Sequence, residues 1–268
     1  MKISVVIPAY NAALTIDKAI QSVVKQDLNF KKIVIDVIVV NDGSTDMTLQ
    51  VVQEIINKHN SIKIQIFSKK NEGVSKARNY GISKSEGDWI AFLDSDDEWL
   101  PTKLKEQIRI IDSLQGKVDF IGCARNDESL QLLGRKVDKL YKAEVNDLLI
   151  KMFPQTSTAL VRKELLNLVG GYNEEMTHSE DGELWVRLCG QGDFYYMPES
   201  LVRTGGGKAN YGSSGLSANL KKMHEGSLEI LNTALRLNYI NGFQYISLYI
   251  FYTLKYIRRI LIVKVKKK

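Results

Sequence analysis

Four short apolar runs, each followed by a polar cluster and separated from the next by a stretch of helical periodicity, constrain this chain more than any other feature. Ile3 to Ile7, Val37 to Val40, Ile62 to Phe67 and Trp89 to Leu93 are rich in Val, Ile and aromatics and bounded by Pro, Asn, Asp or Gly. Such runs predict strands buried on both faces of a sheet. Between them, Leu14, Ala19, Ile20, Val23 and Val24 form one helical stripe. Thr48, Val51, Val52, Ile55 and Ile56 form a second, and Val74, Ala77, Arg78 and Ile82 a third. This alternation predicts an α/β fold with a mostly parallel, doubly wound central sheet flanked by helices. Ligands of such sheets bind beyond the carboxyl ends of the strands. The residues there are Pro8-Ala9-Tyr10-Asn11, Asn41-Asp42-Gly43-Ser44, Ser68-Lys69-Lys70-Asn71 and Asp94-Ser95-Asp96-Asp97, so the site is predicted on that edge.

The second half is less regular. A helix is predicted from Pro101 to Leu114, strands at Phe120 to Cys123, Ser157 to Val161 and Phe194 to Met197, a helix at Glu183 to Leu188 and an amphipathic segment from Leu216 to Leu237. The 268 residues, 44% hydrophobic and 25% charged, exclude a disordered, collagenous or disulfide-scaffold chain and suffice for one large domain or a domain and a half. Cys123 and Cys189 lie far apart with no His or Cys at metal-ligand spacing, which predicts two inert thiols in a reducing compartment. The first apolar run, stopped by Pro8, is too short for a signal peptide.

Asp94-Ser95-Asp96-Asp97 follows a buried run directly. Carboxylates gathered on one turn repel unless a cation lies among them, and Mg²⁺ or Mn²⁺ prefers carboxylate and phosphate oxygens. The alternative is a solvated turn in which Asp96 or Asp97 caps the next helix. Asp42 ends the second run, where Gly43 suits a tight turn and Ser44 or Thr45 a cap; as an acceptor, Asp42 would hydrogen-bond a base or ribose. Neither GxGxxG after the first strand nor GxxxxGK[ST] anywhere is present, so neither a Rossmann dinucleotide site nor a P-loop is supported.

Four segments in order, Val5 to Asn11, Val39 to Asp46, Asn71-Glu72-Gly73-Val74-Ser75-Lys76-Ala77-Arg78-Asn79 and Phe92 to Asp97, resemble glycosyltransferase family 2. Gly170-Gly171-Tyr172-Asn173 and Glu180-Asp181-Gly182-Glu183-Leu184-Trp185 extend the likeness, which covers roughly residues 1 to 205. The resemblance implies a GT-A fold, Rossmann-like, with a C-terminal helical extension, and transfer of a sugar from a nucleotide-diphosphate donor with inversion. On this chain it implies a catalytic domain over 1–215, with a nucleotide-sugar half (1–100) and an acceptor half (101–215), followed by C-terminal helices (216–268). Pro8, Tyr10 and Asp42 would hold the nucleoside, Arg78 the ribose or phosphate, and Asp94, Ser95 and Asp96 the DxD element. Asp94 would lie near the ribose and Asp96 on a Mn²⁺ or Mg²⁺ ion bridging the phosphates. Asp181 matches the family's catalytic base, which takes the acceptor proton.

Alone, Ser179-Glu180-Asp181 also reads as a helix N-terminus with favourable first-turn acids. Many relatives carry a His shortly after the Arg that begins the post-sheet loop; here Leu201-Val202-Arg203-Thr204-Gly205-Gly206-Gly207 lacks it, so its role is either missing or passed to Arg203 or Lys208. The glycines there and at Gly212-Ser213-Ser214-Gly215 suit a lid over the donor or a plain connector.

The net charge of +6 is concentrated at the end of the chain. From Ile246 on, seven bases (Lys255, Arg258, Arg259, Lys264, Lys266, Lys267, Lys268) meet no acid, and the remainder holds 30 bases against 31 acids. Ile246, Tyr249, Ile250, Leu254, Ile257, Ile260 and Leu261 recur at helical spacing with Lys255, Arg258 and Arg259 opposite. The run is too interrupted to span a bilayer and fits an interfacial helix on an anionic membrane; the alternative is a helix packed on the protein. No nucleic-acid partner is expected, because the body has no basic excess. The reading is a cytoplasmic, metal-dependent transferase, peripheral on the inner face of the membrane. It takes a UDP-sugar as donor and a saccharide as acceptor, lipid-linked in bacterial surface polysaccharide synthesis. The alternatives are a sugar nucleotidyltransferase and a non-catalytic sugar- or membrane-binding relative.

Overall fold

The computed structural model describes residues 1–28, 33–59, 61–205 and 219–266. The glycine-rich stretch 206–215 with Lys208, the start of the amphipathic segment at Leu216, and the side chains of Lys264 to Lys268 lie outside the described residues. In chain order come β1 (Lys2–Ala9), α1 (Ile16–Val24), β2 (Val34–Asp42), α2 (Thr48–Lys58), β3 (Lys63–Lys69), α3 (Val74–Lys84), β4 (Trp89–Phe92) and β5 (Glu98–Trp99). They are followed by α4 (Lys103–Ser113), β6 (Phe120–Arg125), β7 (Gln131–Leu132), β8 (Arg135–Lys136), β9 (Tyr141–Lys142), α5 (Val145–Ile150) and β10 (Leu160–Arg162). The last are α6 (Lys163–Val169), α7 (Glu180–Gln191), β11 (Phe194–Arg203), α8 (Leu220–Arg236) and α9 (Gly242–Lys266).

Among the described residues one nine-stranded sheet runs β3-β2-β1-β4-β10-β6-β11-β5, with β9 beside β11, while β7 and β8 form a separate hairpin. The pairs β3–β2, β2–β1 and β1–β4 are parallel. Antiparallel β10 lies between β4 and β6, and β6 pairs in parallel with β11. The α/β fold with a mostly parallel, helix-flanked sheet is the one the alternating pattern predicts.

Strands buried on both faces send alternate residues into different cores. Ile3, Val5 and Ile7 pack with α1, α2 and α4. Val6, Ile90 and Phe92 face the other way, into a core shared by α5, α6, α7, α8 and Tyr252 of α9. In that second core Trp185 lies against Phe120, with ring centroids 4.8 Å apart, and its indole N–H donates to Pro154 O at 2.9 Å. These contacts fix α7 against the sheet.

Three local expectations change. Residues 156–158 form a 3₁₀ turn rather than the start of a strand, and only Leu160–Arg162 pairs. Gln155 Oε1 accepts the Ser157 N–H (2.7 Å) and Thr158 Oγ1 donates to Gln155 O (2.7 Å), so side chains take the place of the ladder. Leu14 lies outside α1 and is 95% exposed, because Ala12 and Ala13 are tied to Thr48 and Asp46 and the loop bulges outward. The helix expected at Glu183 begins at Glu180.

The tail helix packs on the protein in an unusual sense. Tyr252 is buried and donates to Leu149 O at 2.6 Å, while Ile246, Ile250, Leu254, Ile257 and Leu261 are exposed. Among the described residues no helix is long and apolar enough to cross a membrane. Burial raises the thiol of Cys123 to about 11 and that of Cys189 to about 12, which keeps both protonated at neutral pH. Lys103 is wholly buried, its Nζ 3.9 Å from the Trp99 ring centre and donating to Gln107 Oε1 (2.9 Å), and burial lowers its pKa to about 8.

Candidate active site

The loops at the carboxyl ends of β1 and β2 are cross-braced. Asn11 N–H donates to Ser44 Oγ (3.0 Å) and Asn11 Oδ1 accepts the Thr45 N–H (2.8 Å). Gly43 sits at φ +72°, where a Cβ would lie 2.7 Å from Asn71 N, so only glycine lets the β3–α3 loop close over the end of β2. Asp42 is buried there: Oδ1 accepts from Lys69 Nζ (2.9 Å) and Glu72 N–H (3.1 Å), and Oδ2 from Gly73 N–H (2.9 Å). The residue expected to meet a nucleoside thus first holds its own loop, leaving a minority of its roughly four lone-pair sites. Pro8 is buried within β1 opposite Val40, whereas Tyr10 is 53% exposed and opens onto the edge.

Arg78 joins the two halves of the chain. Buried on α3, it donates from Nη2 to Asp94 Oδ1 (2.7 Å) and from Nη1 to Glu180 Oε1 (3.0 Å), and lies 5.1 Å from the Tyr172 ring centre. Burial opposes its charge, but Asp94, Tyr172 and Glu180 outweigh that and raise its pKa, so it stays cationic. Arg78 Nε and Tyr172 Oη are buried without a hydrogen-bond partner.

The segment from Pro154 to Thr158, which contributed no candidate from the sequence, organises the acids. Gln155 Nε2 lies 3.4 Å from Asp94 Oδ2 and 3.2 Å from Asp97 Oδ2. Ser157 Oγ donates to Asp97 Oδ2 (2.6 Å) and accepts the Asp94 N–H (3.0 Å), and Thr156 Oγ1 lies 3.3 Å from Asp181 Oδ2. The signal available in the sequence was a run of small polar residues between apolar elements, which strand periodicity does not explain. Asp97 also accepts the Gly205 N–H (2.8 Å), and burial with the neighbouring Asp94 raises it to about 7.

Asp181 stands in the first turn of α7, one turn before Trp185 on the same helix face. Ser179, in the cap position, adopts φ 60° and makes no side-chain cap bond; instead Asp181 Oδ1 accepts the Gly182 N–H (2.8 Å). Burial and the charge of Glu180 push the Asp181 carboxyl up to about 6, against the lowering effects of Arg78 and Gly182. It is half-buried and lines a cavity of about 640 Å³. A carboxylate with that affinity takes a proton near neutral pH far better than an ordinary one.

The predicted metal residues divide. Asp94 is engaged by Arg78, Ser95 is half-buried, and Asp96 is exposed at the tip of the turn. Among the described residues no group of three or more His, Cys, Asp or Glu is gathered to hold an ion alone. Mg²⁺ characteristically takes one or two carboxylates plus substrate phosphates, so an exposed Asp96 beside Asp94 fits an ion that arrives with a diphosphate. Arg203, the candidate to replace the missing His, is exposed at the end of β11.

The model for glycosyl transferase family 2 matches residues 4–169. The chain belongs to that family. The Gly170 to Asn173 and Glu180 to Trp185 segments, with Asp181, lie beyond the matched span of this family 2 chain. It is 32% identical over 211 residues to an uncharacterized glycosyltransferase of Rickettsia typhi, covering 75% of this chain and 63% of that one. It is 39% identical over 121 residues to the poly(ribitol-phosphate) beta-N-acetylglucosaminyltransferase TarS of Staphylococcus aureus, covering 45% of this chain and 21% of TarS. The chain therefore spans about three fifths of the Rickettsia relative and a smaller part of TarS. Residues 1–349 of TarS in complex with UDP share the fold at a TM-score of 0.69 and 21% identity, covering 93% of this chain and 70% of that one. The mannosyltransferase PcManGT of Pyrobaculum calidifontis, with GDP-Man and Mn²⁺, does so at 0.67 and 17%, covering 87% and 64%.

Proposed function

We propose that this family 2 chain is an inverting glycosyltransferase that moves a sugar from a UDP-sugar to a hydroxyl of a saccharide acceptor. The observation that carries this reading is Asp181, a carboxyl held near pKa 6 in a cavity wall and linked through Glu180 and Arg78 to Asp94 at the sheet edge. In the proposed reaction Asp181 takes the proton of the acceptor hydroxyl while that oxygen attacks the anomeric carbon. The bond to the diphosphate breaks on the opposite face, its electron pair leaves with the nucleoside diphosphate, and the anomeric configuration inverts. Pro8 and Tyr10 would bound the base, with Asp42 and its braced loop beneath the ribose. Arg78 would hold Asp94 in place near the donor rather than reach the phosphates itself, since two of its nitrogens are already committed. Asp96, with Asp94 and Ser95, would hold a Mn²⁺ or Mg²⁺ ion, which when bound neutralises charge developing on the leaving diphosphate.

The exposed apolar stripe of α9, with the exposed Arg258 on the same helix, supports contact with an anionic membrane surface on the cytoplasmic side, where a lipid-linked polysaccharide precursor would be met. Incubation with a panel of nucleotide sugars and Mn²⁺ or Mg²⁺ tests the enzyme reading. UDP release dependent on the metal is expected, with inversion read from the anomeric proton of the product. Absence of release from every donor refutes it.

A further inference from the structure

The cavity that Asp181 lines is closed on its far side by α8 and α9, and that wall is cationic. On α9, Tyr252, Lys255, Tyr256 and Arg259 recur at helical spacing along the inward face, while Leu254, Ile257 and Leu261 point outward. An ordinary surface helix does the reverse. Lys255 and Arg259 are one turn apart, a like-charge pair that weakens a helix, and Lys151 faces them across the cavity. Burial, Arg259 and Lys151 together lower the Lys255 pKa. The acids on the cavity wall are Glu128, 3.7 Å from Arg125, and Asp181 itself. An arrangement that gathers like charges in a partly buried space is stabilised when an anion occupies it.

We propose that this cavity is the acceptor site, and that it takes an acceptor bearing a phosphate group, which Lys255 and Arg259 hold with Lys151 opposite while the acceptor hydroxyl reaches Asp181. The proposal rests on the reading of Asp181 as the base. A volume of about 640 Å³ has room for a phosphate and the sugar attached to it.

His224 stacks on Tyr256 at 4.5 Å in the same wall, and its pKa is lowered by burial and Arg259 against the raising effect of Glu225, so its ring signals report occupancy without turnover. The probe is sn-glycerol 3-phosphate, added to the full chain with UDP saturating the donor site. Saturable movement of the His224 NMR signals and an upward shift of their titration midpoint are expected, absent with glycerol and absent in the Lys255→Gln/Arg259→Gln variant. No movement, or equal movement in that variant, overturns the proposal. In turnover, a poly(glycerol phosphate) chain and a saccharide on a polyprenyl diphosphate present the group from a polymer and from a lipid. The double variant should raise KM for one of them about tenfold or more, and which one identifies the source. An unchanged KM for both also overturns it. A wild-type chain that turns over no nucleotide sugar would refute the enzyme reading, while the His224 measurement would still decide whether the cavity binds phosphate.

Discussion

Glu180→Gln separates a catalytic role for Asp181 from a structural one. Asp181 rises from an ordinary value of 3.8 to about 6, with burial contributing more than Glu180. At about 1.4 kcal/mol per pH unit, the rise corresponds to about 3 kcal/mol of added proton affinity. Gln keeps an oxygen for Arg78 Nη1, which now lies 3.0 Å from Glu180 Oε1, and removes only the negative charge. That loss lowers the Asp181 pKa directly, and the less neutralised Arg78 lowers it further, so both effects have one sign. Because Glu180 contributes the smaller share, the acid limb of kcat/KM, expected near pH 6 in the wild type, should move down by about half to one pH unit. The weaker base should cost about threefold in the plateau rate if proton transfer is half complete in the transition state. Steady-state assays from about pH 4.5 to 8 with one donor and acceptor read both quantities. Glu180→Asp, which keeps the charge, is the control and should leave the limb close to its original position. A limb that stays fixed or moves upward in Glu180→Gln would refute the coupling and the base assignment built on it.

Asp181→Asn should lower turnover by about 10² to 10⁴ while the dissociation constant for UDP, read by calorimetry, stays within about twofold. Lys103 has a pKa of about 8 in the fold against 10.5 in the unfolded chain, so the unfolded state binds more protons between those values. Wild-type stability should therefore rise with pH across that window, by up to about 3 kcal/mol relative to Lys103→Met, in urea titrations at each pH. Tyr252→Phe removes the donor to Leu149 O and should destabilise the chain by about 1 kcal/mol, read as a lower urea midpoint at unchanged slope.

The four apolar runs and the polar cluster after each were enough to place the parallel strands and the polar edge at their carboxyl ends. A strand buried on both faces must be apolar at every position, and that demand is local. The positions of Tyr10, Asp42 and Asp94 on that edge were legible for the same reason. What was not legible depends on residues far apart in sequence. Arg78 meets Glu180 across 102 positions, Ser157 meets Asp97 across 60, and Thr156 meets Asp181 across 25. Ser157 falls in a segment whose periodicity pointed to a strand, until local hydrogen bonds from Gln155 and Thr158 diverted it. The tail makes the same point. Its repeat showed one apolar and one basic face, but a helical period does not say which face turns inward; that depends on the surface it lands on. Here Tyr252 seats the helix on Leu149 and turns Lys255 and Arg259 toward the cavity that Asp181 lines. The sequence alone determined the parallel strands, the polar edge at their carboxyl ends and the acids upon it. Only the tertiary structure decided which of those acids are tied to protein partners, that burial raises both Asp97 and Asp181 toward neutral pKa, and that the basic tail closes the cavity Asp181 lines.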